Sequence, residues 1–592
     1  MKHPISFIFL LAFLSISFFC CNKAKLDVPP LGQLSESDIA NKKGVENLLI
    51  GAYSLLDGIS FGYNLTWGDA ASNWIFGSIC GGEAYKGSDK LDQFEILSLE
   101  KFTTVTTNSY VADKWKAVYW GVQRTNDVLR ILKKAKDIIH SDSVEIAAEA
   151  RFLRGHYHFE AKKMWNNIPY VDETITYEAD NFHIANDTSW LPIENDLMYA
   201  VNNLPVRQPA IGRINYYTAK AVLAKVYLFQ HKYQNAQVLL KDIIDNGVNS
   251  LGVKYGLLPR YGDNFNPAEK NRSESVFAYQ SSVNDGAGGL NGNYGDNLNF
   301  PYTGGPGGCC GFFQPSQYLV NHFKTDPSTG LPDLVNFNDS DVKNDQGLES
   351  SDPFIPYTGT LDPRLDWTVG RRGIPYLDWG AHPGKAWVKD RHQGWGPYSP
   401  IKTVYYQSQQ GALVETSSWA PIFTANNINL IRFADVLLWA AETEVEVGST
   451  DLALVYVNQV RARAKDPAGW VHTYIDPDNP MLGFTNTPAA NYKISTYPTG
   501  SFSDKDFARK AIRYERMLEL GMEGQRFFDL VRWGIAATEI NDYFEKEKHL
   551  RDALIGAEFK PNKNEYFPLP EIQITLSAVA DGVPKMKQNA GY

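Results

Sequence analysis

The feature that most constrains this fold is a pair of helical segments in which small side chains face large ones. Ala219, Ala221 and Ala224 form a slim face, and after a short turn a second stripe of apolar residues includes Leu240 until Gly247 ends it. Small residues opposite a stripe of large ones let two helices pack closely. The pattern therefore predicts a tight helical pair.

The same pattern returns elsewhere along the chain. Helical periodicity is predicted over 113–139, over 143–165 and over 435–447, and the last segment is followed by a partner that contains Ala453. These pairs resemble tetratricopeptide units, whose helices carry small residues near their middle. Because one pair cannot bury its apolar face alone, several pairs must stack on one another. The sequence thus predicts a mainly α fold built on helical pairs.

Residues 249–429, between the helical ends, have a different composition. Ten of the 47 glycines fall within 281–315, and five of the 14 tryptophans fall within 361–421. Gly, Pro, Asn and aromatic residues mixed without periodicity indicate long loops with short strands. Long loops in a compact protein usually carry function, so we expect the binding site in this loop-rich region.

The N-terminus has the pattern of a signal peptide. A basic start precedes an apolar stretch over 5–19, which is too short to cross a bilayer core of about 30 Å as a helix. A cysteine directly after such a stretch resembles a bacterial lipoprotein processing site. Processing needs a small residue before the lipidated cysteine, which favours Cys21 over Cys20, so we expect residues 1–20 to be the signal peptide. An ordinary secretory signal with two incidental cysteines is the alternative.

Charge and motif content argue against several function classes. The chain has 57 Lys and Arg against 67 Asp and Glu and no basic run, which argues against a nucleic-acid binder. We find no phosphate-binding loop, no His-Glu-x-x-His zinc helix, no cysteine quartet and no Gly-x-Ser-x-Gly nucleophile elbow. We therefore expect no cofactor, no metal and no enzymatic activity. A glycoside hydrolase stays open as an alternative, since its carboxylate pair is defined only by separation in space.

Three cysteines remain in the body of the chain after processing, too few for a disulfide scaffold. Cys309 and Cys310 are adjacent and lie between glycines, which tolerate the distorted backbone of a vicinal disulfide. Two free thiols, or a bridge from Cys80 to one of the pair, are the alternatives that the sequence leaves open.

A charged helix is predicted over 515–534. Opposite charges fall three residues apart at Arg516 and Glu519, at Glu523 and Arg526, and at Asp529 and Arg532. Side chains at this spacing are neighbours on a helix. We interpret the segment as an ion-paired clamp beside a core patch of Phe and Trp, in preference to an active site.

A series of motifs in a fixed order resembles the SusD/RagB family, the surface lipoproteins of bacteroidete nutrient-uptake systems. The resemblance covers nearly the whole chain. The motifs are Cys21 with Leu26-Asp27 and Pro29-Pro30, the segment 148–155 through Pro169, the segment 314–317, the segment 362–365, the segment 431–438, the segment 460–464, the segment 515–534 and the ending 588–592.

This resemblance implies a scaffold of four tetratricopeptide-like units with a loop-rich binding face. Residues 21–248 are then the N-terminal helical region, and 249–592 the C-terminal region, with the binding face over 249–429 and closing helices over 430–592. Family members are not enzymes, and they cover a SusC-like TonB-dependent outer-membrane transporter. The implied ligand is an oligosaccharide or polysaccharide, with peptides or other nutrients as the alternative. The implied location is the cell surface, on the outer membrane. The lipid anchor is the implied sole attachment to that membrane.

Aromatic platforms with a few polar side chains suit sugar rings, which have C–H faces and hydroxyl rims. The resemblance directs the search to the loop after the first helix and to the central loops. The candidates there are Trp67, Asp69, Asn73, Trp74, Tyr85, Tyr294, Tyr302, Cys309, Cys310, Phe312, Trp379 and Trp395. Because association costs several kcal/mol and each platform contributes only about 1 kcal/mol, we expect dissociation constants of about 10 μM to 1 mM.

Overall fold

A computed structural model describes residues 35–59, 67–176, 182–389, 396–579 and 581–592. Helices dominate the N-terminal part. They are α1 Glu36–Ile39, α2 Lys42–Ser54, α3 Phe94–Glu100, α4 Ser109–Leu132, α5 His140–Trp165, α6 Leu191–Asn203, α7 Tyr216–Phe229 and α8 Tyr233–Asn246. The later α-helices are α9 Gln317–His322, α10 Leu365–Thr368, α11 Phe433–Val447, α12 Thr450–Lys465, α13 Lys505–Leu520, α14 Arg526–Arg532, α15 Ala536–Glu547 and α16 Glu571–Leu576.

The strands are short and pair two by two, all antiparallel. The pairs are β1 Ala84–Gly87 with β3 Phe312–Pro315, β2 Ser275–Tyr279 with β6 Ile428–Arg432, β4 Val369–Gly370 with β5 Ser399–Pro400, and β7 His472–Tyr474 with β8 Phe484–Pro488. Several pairs join segments that are far apart in sequence. The small sheets therefore tie loops to the helical body.

The helices form one continuous stack. Each of α4 to α8 packs on the next, and the later pair α11–α12 continues the stack through contacts between α8 and α11. Close packing of α4 on α5 needs a glycine, because a Cβ at Gly121 would lie 2.6 Å from the ring of Tyr157. The mainly α prediction, with helical pairs, a large loop-rich region and short strands, is confirmed.

The predicted helix over 515–534 is wrong in one respect, because it is broken. Helix α13 ends at Leu520 and α14 begins at Arg526. Gly524 lies in the break with φ of 72°, and a Cβ there would lie 1.8 Å from the carbonyl oxygen of Ser72. The close approach of this segment to the loop after Trp67 therefore interrupts the helix.

The charges of α13 form a buried network with partners from other segments. Glu519 pairs with Arg364 at 2.9 Å and with Arg432 at 2.6 Å. It also pairs with Arg463. Arg516 pairs with Asp529 and not with its helical neighbour. Of the ion pairs predicted between residues three apart, the one between Asp529 and Arg532 is present, with 2.8 Å between the charged atoms. These charges hold the closing helices against the loops.

Within the described ranges, no helix combines the length and the apolar character that a bilayer span requires.

Candidate functional site

Two loops that are far apart in sequence meet on the loop-rich side of the molecule. The Trp67 indole N–H donates to Asn297 Oδ1 at 2.5 Å, and the Ser72 hydroxyl donates to Asp296 Oδ1 at 2.7 Å. The Trp74 indole N–H donates to the Gly295 carbonyl at 3.1 Å. These bonds fix the segment that begins at Trp67, after helix α2, against the central loop.

Four residues at this junction, Trp67, Asp69, Tyr294 and Asn297, form what we call the Trp67–Tyr294 group. The Trp67 and Tyr294 side chains are partly exposed, whereas Asn297 is buried and holds the indole. The Tyr294 ring packs on Phe423 with 5.3 Å between centroids. The group thus contains two partly exposed rings that are held by their neighbours and pack against the core, and a stacking platform needs rings held in this way.

Asp69, two residues after Trp67, is buried with 7 % of its surface exposed. Burial raises the pKa of its carboxyl to about 7, although the nearby Lys114 ammonium acts in the opposite direction. Lys114 donates to the backbone carbonyl of Asp69 at 3.2 Å, and Asp69 Oδ1 has no hydrogen-bond partner among the described residues. At neutral pH this carboxyl exists in both protonation states, so it can accept or donate a hydrogen bond.

A second group consists of Tyr302, Lys389, Cys309 and Cys310, and we call it the Tyr302–disulfide group. The Lys389 ammonium lies 5.5 Å from the Tyr302 ring centroid and pairs with two carboxylates, of Asp89 and Asp92. Cys309 and Cys310 are joined in a vicinal disulfide and are partly exposed. The group therefore combines a ring, a cation and a small apolar sulfur surface.

Glycine brings the two halves of this second group together. A Cβ at Gly311 would lie 2.8 Å from Lys389 Cβ and 3.4 Å from Tyr302 Cβ, and the Gly311 φ of 79° also favours glycine. Cys80 is a free, buried thiol. The pairing within the adjacent cysteines is therefore the one of the three sequence alternatives that the structure contains.

Trp379 lies apart from both groups. Its indole N–H donates to the Tyr405 carbonyl at 2.8 Å, and its ring meets the Tyr405 ring edge-on with 5.7 Å between centroids. The side chain is partly exposed. Trp379 is thus an anchored aromatic with an accessible portion, on a different loop.

Besides Asp69, four of the sequence candidates are buried, which corrects their interpretation as parts of an exposed face. Trp74, Tyr85 and Phe312 are each 1 % exposed, and Asn73 is 5 % exposed. Trp74 meets the Phe312 ring edge-on, and the Tyr85 hydroxyl donates to the Glu547 carboxylate. The physical reason is that Tyr85 and Phe312 lie in the paired strands β1 and β3, and Trp74 begins a π-helical turn packed against them, so protein covers their rings.

Asn73 is turned inward by its backbone. Its φ of 52° lies in the left-handed region, and its amide donates to Glu160 Oε2 at 3.2 Å. The candidates Trp395 and Cys21 lie outside the described residues.

Sequence reasoning missed two residues of this face, Lys389 and Asn297, and one exposed ring elsewhere in the loop-rich region, Trp419. Lys389 and Asn297 carry no local signal, because only the tertiary contacts described above give them their neighbours. Trp419 did offer a signal, since it follows two serines in a loop, and the structure leaves 76 % of it exposed. Among the described residues of the loop-rich region, Trp419 is the most exposed large apolar side chain.

The chain belongs to the SusD family, whose sequence profile matches residues 273–592. A second profile, described as "Starch-binding associating with outer membrane", matches residues 34–228. Among curated relatives, SusD-like protein P25 of Formosa agariphila is 24 % identical over 552 residues, covering 90 % of this chain and 91 % of that protein. SusD-like protein P2 of the same organism is 24 % identical and covers 95 % of this chain and 98 % of that protein.

Solved structures share the fold. A laminarin-binding SusD-like protein superposes with a TM-score of 0.64 at 23 % identity, covering 93 % of this chain and all of that chain. Surface glycan-binding protein A from Bacteroides thetaiotaomicron, solved in complex with laminarihexaose, superposes with a TM-score of 0.61 at 21 % identity, covering 93 % and 99 %. At these identities the likeness establishes the architecture.

Proposed function

We propose that this protein is a non-catalytic glycan-capture protein whose loop face binds an oligosaccharide or polysaccharide. The observation that carries the proposal is the Trp67–Tyr294 group, in which two partly exposed rings are anchored beside a buried amide and a carboxyl. Rings of this kind suit the C–H faces of sugars, and the polar neighbours suit hydroxyl rims. Membership of the SusD family and the glycan ligands named for two solved relatives support the same interpretation.

The proposal extends to where the protein works. A lipid on Cys21 holds the body at the outer membrane on the cell surface, since several acyl chains on one cysteine anchor stably. A SusC-like TonB-dependent transporter then receives the captured glycan. Weak binding serves this step, because the ligand must leave the loop face again to enter the transporter.

The test uses purified mature protein and a panel of neutral glycans that includes laminarihexaose. Isothermal titration calorimetry measures the affinity of the wild type and of the variants Trp67→Ala and Tyr302→Ala. We expect at least one glycan to bind with a dissociation constant between about 10 μM and 1 mM. We also expect at least one of the two variants to weaken that binding by about fivefold or more, since a stacked ring contributes about 1 kcal/mol.

Two controls separate the outcomes. Val238→Ala removes an exposed apolar side chain on helix α8, away from the loop face, and should leave the affinity unchanged. The appearance of new reducing ends during incubation would contradict a binding-only role. Unchanged affinity in both ring variants would remove the loop face as the site.

A further inference from the structure

A separate cavity lies beside the β7–β8 pair, outside both groups of the loop face. Its volume is about 550 Å³, and its walls include Arg260, Trp367, Trp470, His472 and Phe484. Pockets for small ligands typically measure about 300 to 1,000 Å³. The cavity is therefore large enough for a sugar ring with part of a neighbouring unit.

The indole N–H groups of the two tryptophans in this cavity are already hydrogen-bonded to the protein and are not available to a ligand. The Trp367 indole N–H donates to the Gly469 carbonyl at 2.8 Å, and the Trp470 indole N–H donates to the Ala464 carbonyl at 3.0 Å. Both rings are thereby fixed, and what they present to the cavity is carbon. A Cβ at Gly262 would lie 2.6 Å from the Trp367 ring, so only glycine lets the ring pack this closely on the backbone. Fixed aromatic carbon suits the C–H face of a sugar.

The polar side of the cavity is positive. The Arg260 guanidinium lies 5.9 Å from the Trp367 ring centroid, and its side chain is 46 % exposed. Its nearest recorded carboxylate oxygen, of Asp263, is 4.0 Å away, which is beyond hydrogen-bond distance. Within the described ranges, no hydrogen bond from this guanidinium is recorded.

The other charged groups of the lining do not cancel Arg260. The Asp366 carboxylate accepts two bonds from Arg371, at 2.6 and 2.9 Å, and one from the Tyr492 hydroxyl at 2.5 Å. Burial and the charge of Arg260 lower the pKa of His472, which disfavours a second cation in this lining. Arg260 is thus the cation of this lining that is available to a ligand.

We propose that this cavity is a second glycan site, selective for a sugar ring that carries a carboxylate. The partly exposed Trp470 contacts the ring face, Trp367, which is only 9 % exposed, forms part of the cavity wall, and the Arg260 guanidinium binds the carboxylate through its paired N–H groups. A planar guanidinium matches a carboxylate in a bidentate geometry. The proposal rests on the proposed function in that the ligand is a glycan, but it names different residues and a different sugar class.

The test measures binding of single sugars by ligand-observed NMR titration. The probes are the methyl glycosides of glucuronic, galacturonic and mannuronic acid, each compared with the methyl glycoside of its neutral parent sugar. We expect the wild type to bind at least one acidic sugar about tenfold more tightly than its neutral parent, because a charge-assisted bond is added. Arg260→Gln should abolish that preference, and Arg260→Lys should keep only part of it.

Matched variants make the result decisive. Arg272→Gln removes another exposed arginine, one that pairs with Glu269, and should keep the preference. Trp470→Ala should weaken acidic and neutral sugars alike, and Trp470→Phe guards against a loss of folding. A wild type without any acidic preference, or a preference that survives Arg260→Gln, would overturn the proposal. Trp67→Ala and Tyr302→Ala report on the loop face separately, so failure there leaves this test intact.

Discussion

Trp67 and Trp74 are seven residues apart, bond to the same central loop, and end in opposite environments. The Trp67 indole donates to Asn297 and stays partly exposed, whereas the Trp74 indole donates to Gly295 and is 1 % exposed. We call the layer under the loop face, formed by Trp74, Tyr85, Phe312 and Glu547, the buried layer. The same type of contact therefore holds one ring in the core and leaves the other partly exposed at the surface.

The largest effect is expected on stability, when a ring is removed from the buried layer. Trp74→Ala should lower the free energy of unfolding by about 3 to 5 kcal/mol, since it leaves a cavity under both loops. Urea unfolding followed by circular dichroism measures the change. Trp67→Ala is the matched control, for which we expect a loss of about 1 kcal/mol or less. Equal losses in the two variants would contradict the distinction.

The stability of the buried layer should depend on pH through the Glu547 carboxyl. Burial raises the pKa of its carboxyl to about 7, against about 4.3 in an unfolded chain. Between these values the folded protein keeps a proton that the unfolded chain has lost, so the contribution of Glu547 to stability falls as pH rises. Glu547→Gln should therefore gain stability relative to the wild type from about pH 4.5 to about pH 7, by up to about 1.4 kcal/mol per pH unit.

Urea unfolding at several pH values measures this difference. Gln can still accept from the Tyr318 backbone N–H, which donates to Glu547 Oε1 at 2.6 Å. Glu558→Gln replaces an acid with 65 % of its side chain exposed, and the stability of that variant should follow the wild type at every pH. A difference between Glu547→Gln and the wild type that shrinks as pH rises would show the sign to be wrong.

Rings of the loop face should affect binding more than folding. Tyr294→Ala should weaken glycan binding by about fivefold, since one stacked ring contributes about 1 kcal/mol. Titration calorimetry with the best glycan of the panel measures this effect. Tyr294→Phe keeps the ring and should bind almost as well as the wild type, so a similar loss in both variants would indicate a role for the hydroxyl in place of stacking.

The smallest effect is expected at the vicinal disulfide. Replacing both Cys309 and Cys310 by serine removes a partly exposed sulfur surface beside Tyr302 and exchanges it for hydroxyls. We expect a two- to threefold loss of glycan affinity, equivalent to about 0.5 kcal/mol. Cys80→Ser is the control for thiol content. An unchanged affinity in the double variant would remove the disulfide from the site.

The helical scaffold could be predicted because its pattern is local. The alanines over 219–224 and the apolar stripe that follows them specify α7 and α8 without knowledge of the rest of the chain. The loop-rich region could also be located, since glycine and tryptophan content shows it directly. The break between α13 and α14 could not, because it depends on the contact of Gly524 with Ser72.

The site residues were predicted less well for the same reason. Nothing near Trp74 distinguishes it from Trp67, since burial is decided by a central loop more than 220 residues away. Lys389 joins the face through tertiary contacts with Tyr302, Asp89 and Asp92, and the Arg260 cavity is assembled from five distant segments. The sequence thus indicates which region binds, and tertiary contacts decide which of its rings are available.

The most direct measurement is a crystal structure of the mature protein with the tightest-binding neutral glycan of the panel. We predict an intact sugar chain with at least one ring stacked on Trp67, Tyr294 or Tyr302. A glycan that is bound without touching any of these rings, or one that is found cleaved, would contradict the account.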